Sequence, residues 1–247
     1  MGNKYYKTGG QRAGLVGDLF GVLAPRYDLI NDLQSLGLHR RWKRLLAKMA
    51  QVQPGQKALD LCCGTGDIAF ALHRAGAEVV GMDFSPAMLE VARRRAGKEV
   101  LERDAPRLEF RTGDVMEIPC AAASFDIVSI GYGLRNLASW ERGLEEMVRV
   151  ARPAGRLLVL DFGKPKARLW RTLFYFYLRT VVPLLGRILC RDAAALAYIY
   201  DSLMAYPAQN GVAEKLRTLG CRDIRVCDLL GGAMSIHSCL KPGAKEL

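Results

Sequence analysis

From residue 57 onward, short apolar runs alternate with amphipathic ones in a regular rhythm. Runs of β-branched and aliphatic residues predict strands near 57–62, 78–83, 107–111, 126–131 and 156–162. Apolar positions at helical spacing predict helices near 67–75, 86–97 and 139–151, and a helical stretch over 15–50 with a turn near Ser35–Gly37. Strand–helix alternation at this spacing calls for a parallel sheet covered by helices on both faces. After Phe162 the rhythm changes. A long aromatic and aliphatic stretch over about 167–206 leads to a helix near 209–219 and two short strands, 222–229 and 233–240, with Gly231 and Gly232 marking a tight reversal. The economical reading is one α/β domain over 1–247, with an N-terminal helical extension (1–52) and a late helical insertion (163–206).

Composition adds a partner question. The 247 residues carry 36 Lys and Arg against 25 Asp and Glu, a formal net charge of +11, which suits an anionic partner without choosing one. Seven cysteines in odd number, with no CxxC spacing, argue against a disulfide framework and for a reducing compartment. Three scattered histidines, His39, His73 and His237, give no metal-ligand spacing, so no metal is expected. The opening MGNKYYKTGG has no secretory apolar core, and Tyr6 fails the myristoylation pattern. Leu169 to Cys190 is the most apolar long stretch, but Arg171, Arg179, Pro183 and Arg187 make it a poor membrane span.

The sharpest local signal runs from Ala58 to Ala69, where a strand meets Gly64-Thr65-Gly66 and a helix starts at once. Glycines there admit close backbone approach, and the helix start offers unpaired N–H groups. Alone, the pattern fits a dinucleotide site, a methyl-donor site or a structural turn. Three carboxylates sharpen it. Asp60 sits in a strand that should be apolar, where it needs a partner such as the ammonium of a bound amino acid. Asp83 ends the second strand, where it would meet ribose hydroxyls, and Asp114, followed by Val115, falls where a side chain reads an adenine amino group. Taken singly, Asp83 or Asp114 reads as a cap or loop residue; the ordered set describes S-adenosylmethionine better than NAD.

The rest of the chain carries a family resemblance. Tyr27-Asp-Leu-Ile-Asn-Asp-Leu-Gln-Ser-Leu-Gly-Leu-His-Arg-Arg-Trp42 resembles the N-terminal signature YDxMNDxxSxGxHRxW of the ubiquinone/menaquinone-biosynthesis C-methyltransferases, departing only at Ile30. Gly133-Leu-Arg-Asn136 resembles their second hallmark, and Tyr206-Pro207 and Gly231 to His237 their C-terminal part. Ala154, Asp161 and Gly163 stand where Gly, Glu and Ser are usual, and Gly131 replaces the serine of SFGLRN. The GYGLRN form after DLCCG is more similar to the cyanobacterial and plastid phylloquinone branch than to the ubiquinone one. The resemblance implies a class I, Rossmann-like methyltransferase with a mostly parallel seven-stranded sheet. It implies methylation of a ring carbon of a demethylmenaquinol or demethylphylloquinol with S-adenosylmethionine as donor. Tyr27, Asn31 and Asp32 would close over the donor site. The alternatives are another small-molecule or RNA methyltransferase of the same fold, and a non-catalytic scaffold of a quinone-synthesis assembly.

Carbon methylation of a quinol is an in-line displacement that quickens when a hydroxyl loses its proton. Arg135, cationic at any working pH, is the candidate to stabilise that oxyanion, with Asn136 orienting a water or the quinol oxygen. The competing reading pairs Arg135 with a nearby carboxylate. His39 and His237 rank low as proton acceptors, and Cys62 and Cys63 read as small apolar packing. The charge is also concentrated. Residues 164–191 hold seven bases and no acid, interleaved with Trp170, Phe174, Tyr175, Phe176 and Tyr177, and residues 1–50 hold nine bases against three acids. A basic face on a core-covering helix, attachment to an anionic membrane and nucleic-acid binding compete to explain it. With no nucleic-acid module in sight and a prenylated or phytylated quinol as the implied substrate, peripheral attachment in a bacterial cytoplasm or plastid interior is the expectation. A second copy of the chain is the other candidate partner.

Overall fold

The computed structural model describes residue 5 and residues 12–99 and 107–243; most of the opening segment lies outside them. Seven strands form one sheet in the order β3-β2-β1-β4-β5-β7-β6. They are β1 (Lys57–Leu61), β2 (Glu78–Asp83), β3 (Leu108–Thr112), β4 (Phe125–Gly131), β5 (Ala151–Phe162), β6 (Arg222–Leu229) and β7 (Met234–Leu240). All pairings are parallel except those of β7, which runs antiparallel to both β5 and β6. The central strands are near-continuous apolar runs because helices bury both faces.

On one face, α6 (Trp140–Val150) and α10 (Ala208–Thr218) pack Leu144, Met147, Val212 and Leu216 against Leu59, Leu61, Val128 and Leu157. On the other, α3 (Leu38–Met49), α4 (Asp67–Arg74) and α5 (Pro86–Glu99) pack Trp42, Leu46, Phe70, Leu72 and Leu89 against Ala58, Val79, Ile127 and Leu158. A third apolar cluster stands apart. It joins Leu19 of α1 (Arg12–Leu23) and Ile30 of α2 (Tyr27–Ser35) to Phe174, Leu178, Val182, Leu196, Ile199 and Leu203 of the insertion. The base-rich insertion therefore meets α1 and α2 in one helical cap, while five of the nine bases of residues 1–50 (Arg40, Arg41, Lys43, Arg44 and Lys48) lie in α3 on the sheet.

Three local features depart from the periodicity. The stretch over 15–50 is three helices. Besides the reversal at Leu36 (φ 50°) and Gly37 (φ 73°), a 3₁₀ turn over Ala24–Arg26 contains Pro25, which has no N–H to continue a helix. This splits the extension, leaving α1 and α2 in the cap and α3 on the sheet. Strand β5 starts at Ala151, ahead of 156, because Ala151 pairs with Phe125 before a bulge resets the register at Ile127–Arg156. In the insertion, α7 (Arg168–Phe176) and α8 (Val182–Cys190) are joined by a π turn over Tyr177–Val181, ahead of α9 (Ala194–Ala205). The span Arg168–Cys190 is long and apolar enough by composition to cross a membrane. Here it lies along the protein, with Phe174, Leu178 and Val182 buried in the cap.

Candidate active site

A parallel sheet opens a crevice at the carboxyl ends of its strands where the order reverses, here beside β1. A cavity of about 750 Å³, counted to its mouth, occupies that place. Of the residues singled out from sequence, Tyr27, Gly64, Asp83, Asp114, Val115, Gly131 and Asn136 line it. Gly17 and Phe20 of α1 lie on its cap side.

The turn after β1 is built by the strands themselves. The Gly64 N–H donates to Asp83 Oδ2 (2.8 Å) and the Ser85 N–H to Oδ1 (2.8 Å), so the second strand's carboxylate is oriented by backbone. Burial raises the Asp83 pKa despite those bonds. Asp114 is held likewise, its Oδ1 accepting the Met116 N–H at 2.8 Å. At Gly131, the end of β4, a Cβ would overlap Ile68 Cδ1, so any larger residue there needs the Ile68 side chain to turn aside.

Four sequence candidates lie off this cavity. Asp60 is fully buried, its Oδ1 accepting from Ser129 Oγ (2.8 Å) on the neighbouring strand, and it does not line the cavity. Strand alternation turns Asp60 to the side of the sheet where Ala58 packs, and its hydrogen-bond contact in this structure is with Ser129. Burial pushes its pKa up to about 7, the Ser129 bond only partly offsetting this, and Oδ2 has no hydrogen-bond partner among the described residues. Thr65 and Gly66 shape the turn without lining it. Gly66 (φ 93°) starts α4 where a Cβ would stand 2.7 Å from the Phe70 ring.

Arg135 is the fourth. It sits in the 3₁₀ turn after β4, 4% exposed, with Nη1 donating to Asp161 Oδ1 and to the Tyr132 carbonyl, both at 2.7 Å. Its backbone N–H donates to Asp161 Oδ2 (3.1 Å), and the guanidinium lies 4.6 Å from the Phe162 ring centre. The guanidinium read as the group to stabilise a quinol oxyanion is thus one half of a buried ion pair, the carboxylate pairing that the competing reading expected. Burial works against the charge, and Asp161 more than restores it, holding the Arg135 pKa above its ordinary value. Arg135 lines a second chamber of about 380 Å³ with Asn31, Phe162 and Tyr198, and Asp161 does not. The positive end of the pair faces that chamber. Phe20, Tyr27 and Tyr132 line both chambers and form their common wall.

Sequence reasoning passed over the residues that bind the cap to this turn. Thr65 Oγ1 donates to Asp28 Oδ1 of α2 (2.9 Å). Arg95 reaches the Thr65 carbonyl (2.9 Å), Asp67 (2.8 Å) and Asp28 (3.6 Å), and Lys43 pairs with Asp67 (2.9 Å). Asp28 lies inside the N-terminal signature, so its position was a signal; Arg95 had none. Asp32, expected over the donor site, instead pairs with Arg40 (2.6 Å) and lines neither chamber. His39 (hydrogen-bonded to Ser35 Oγ, 2.9 Å) and His237 (to the Gln209 carbonyl, 3.0 Å) also line neither. Burial, with Lys43 adding, lowers the His39 pKa to about 4 and keeps the ring neutral. Cys62 lines the first chamber and Cys63 is buried beside it; burial keeps both as thiols. Among the described residues no cluster of metal-ligating side chains occurs.

The sheet order, the glycine turn and the two carboxylates at strand ends define a Rossmann-like methyltransferase. Residues 6–241 match the ubiE/COQ5 methyltransferase family, and the chain belongs to that family. It is 38% identical to the demethylmenaquinone methyltransferase of Paenarthrobacter aurescens over 92% of this chain and 86% of that protein. To the same-named protein of Halalkalibacterium halodurans it is 34% identical, over 94% of each. In fold it is similar to the magnesium protoporphyrin IX methyltransferase of Synechocystis PCC 6803, solved with bound SAM, and to the [4+2]-cyclase SpnF. The TM-score is 0.64 for each, at 17% and 16% identity, over 96% and 98% of this chain and 100% of theirs.

Two predictions follow from the geometry. Asp28→Asn weakens the bond from cap to turn without changing shape, so α2 amides exchange with solvent roughly tenfold faster while β4 amides stay unchanged; hydrogen-exchange mass spectrometry reads both. For Asp60, a folded pKa of about 7 against an ordinary 3.8 means the protonated form is favoured in the fold, so its contribution is complete below pH 3.8 and lost as pH rises towards 7. Neutral His39 contributes with the opposite sign over pH 4 to 6.5. The difference between wild type and Asp60→Asn isolates the first effect. Asn therefore gains stability relative to Asp from pH 4 to pH 8, by up to about 4 kcal/mol, in urea unfolding at each pH.

Proposed function

We propose that the protein transfers the methyl group of S-adenosylmethionine to a ring carbon of a demethylmenaquinol. The observation that carries this reading is the pair of adjoining chambers: one with carboxylates at strand ends, the other aromatic and bordered by the Arg135 guanidinium, with Tyr27 and Tyr132 in the shared wall. The names of the relatives support the acceptor. The donor set supports the adenosyl group: Asp83 would take ribose hydroxyls, Asp114 the adenine amine, Val115 the ring face, and Gly64 and Gly131 would allow close backbone approach. Thr65 and Gly66 hold the turn and Asp60 braces the strand beneath it. Asn136, whose buried Oδ1 has no partner among the described residues, can accept a hydrogen bond from a quinol hydroxyl or a water.

The donor supplies an electrophilic methyl on a sulfonium. The ring carbon attacks along the S–C axis as that bond breaks, and the proton on the same carbon then leaves to restore the aromatic ring. Arg135 stabilises the quinol oxyanion that feeds electrons to the carbon. Because Asp161 neutralises the pair, its pull is that of an oriented dipole, weaker than a bare charge and fixed before the reaction. The tyrosine wall keeps water from the methyl. A lipophilic acceptor supports attachment at a membrane surface, in a bacterial cytoplasm or plastid interior. A demethylphylloquinol is the second reading, favoured by the Gly131-Tyr132-Gly133 form of the motif.

The test is transfer from labelled donor to a panel of reduced and oxidised demethyl-naphthoquinones, benzoquinols and RNA. Label should enter reduced naphthoquinols, with donor binding seen by calorimetry and none for NAD. Labelling of RNA alone, or of nothing, overturns the reading.

A further inference from the structure

The exposed side of α7–α8 carries an ordered pattern that the two chambers do not use. Leu169, Leu173, Phe176, Leu184 and Ile188 are 75%, 52%, 61%, 54% and 66% exposed. Leu169 and Ile188 are nineteen residues apart. An unbroken α-helix would carry such a row round its axis; the π turn over Tyr177–Val181 absorbs about one residue and leaves about eighteen, or five whole turns. The same correction keeps Phe174, Leu178, Val182 and Gly186 buried along the opposite line. The helix thus has one straight inner row and one straight outer row.

Exposed Arg168, Arg171, Arg179 and Arg187 accompany the outer row, and no acid occurs between residues 164 and 191. Beside the row lies a shallow hollow of about 780 Å³, counted to its mouth, lined by Thr172, Tyr175, Arg179, Thr180 and Tyr200, with the Arg179 guanidinium 5.4 Å from the Tyr200 ring centre. It offers hydroxyls and a guanidinium together, the groups that meet a phosphate. The neighbouring α2, which reaches this segment through the bond from Tyr177 Oη to the Gln34 carbonyl (2.6 Å), adds exposed Leu29 and Leu33, with exposed Leu36 just past its end. The Arg135 chamber lies between α2 and α9, the last helix of the insertion, lined by Ile30, Asn31 and Gln34 of α2 and by Leu196, Tyr198 and Ile199 of α9.

We propose that the Leu169–Ile188 row seats the cap on an anionic bilayer, its leucines and phenylalanine at headgroup depth and its arginines on lipid phosphates, so that a lipid-borne acceptor reaches the Arg135 chamber from the membrane side between α2 and the insertion. Charge complementarity selects this occupant. A second copy packed face to face would bring the same arginines together, whereas an anionic leaflet matches them. The route rests on the acceptor reading above; the docking face does not.

The full chain is sedimented with vesicles of phosphatidylcholine alone, or with about 30 mol% phosphatidylglycerol. Wild type should bind the anionic vesicles and leave the zwitterionic ones. Leu173→Gln with Phe176→Gln, at exposed positions that spare folding, should weaken that binding about tenfold or more, and Arg171→Ala with Arg179→Ala should flatten its dependence on anionic lipid. Both variants should still methylate a short-tailed, water-soluble naphthoquinol at the wild-type rate and lose rate on the long-tailed one in vesicles. Failure of wild type to bind, binding indifferent to charge or to the Gln pair, or a dimer that the Gln pair dissolves, overturns the proposal. Binding as described without methylation of either acceptor leaves the docking face standing and overturns the acceptor reading.

Discussion

The buried ion pair between Arg135 and Asp161 is the joint on which the site depends. It links the turn after β4 to the end of β5, and through Tyr198 it touches α9 of the cap, 3.5 Å away. Both side chains are almost fully buried, so neither charge is tolerable alone, and removing one partner of such a pair costs about 3–5 kcal/mol. The pair has an electrostatic consequence that an apolar pair would lack. It places a fixed positive end on the wall of the second chamber while leaving the interior neutral. The sheet sets where the donor cavity opens, and the pair sets what borders the space beside it.

The cap follows from the same economy. The carboxyl end of a parallel sheet leaves a crevice, and a methyl transfer there needs water excluded. Helices α1 and α2 and the insertion share one apolar cluster, and they rest on the turn through Asp28, Thr65 and Arg95. Of the net charge of +11, the insertion over 163–206 carries +5 and α3, which packs on the sheet, another +5, while α2 is acidic. The basic part of the roof is the insertion.

Much of this was legible in the chain. The five parallel strands and their helices come from apolar runs bounded by turns, and burial on both faces makes such runs unmistakable. Asp83, Asp114 and Gly64 were legible because strand ends and glycine turns have fixed meanings in this sheet. Other features depend on three-dimensional facts that periodicity does not carry. Asp60 stood out as a carboxylate in an apolar strand, but which side it faces is decided by register, and it faces Ser129. Asp161 read as a departure from a family pattern, when it is the partner Arg135 requires. The π turn leaves no local signal. It shows only as two straight rows of side chains, one buried and one exposed.

The most direct test of the account is to separate turnover from donor binding at Arg135. Arg135→Lys keeps a buried charge beside Asp161 but loses the planar fork that reaches the Tyr132 carbonyl and borders the second chamber. The account predicts a fall in kcat of about a hundredfold with the dissociation constant for S-adenosylmethionine unchanged, in a variant whose thermal unfolding shows it folded. Equal losses in donor affinity and turnover, or full turnover, would contradict it.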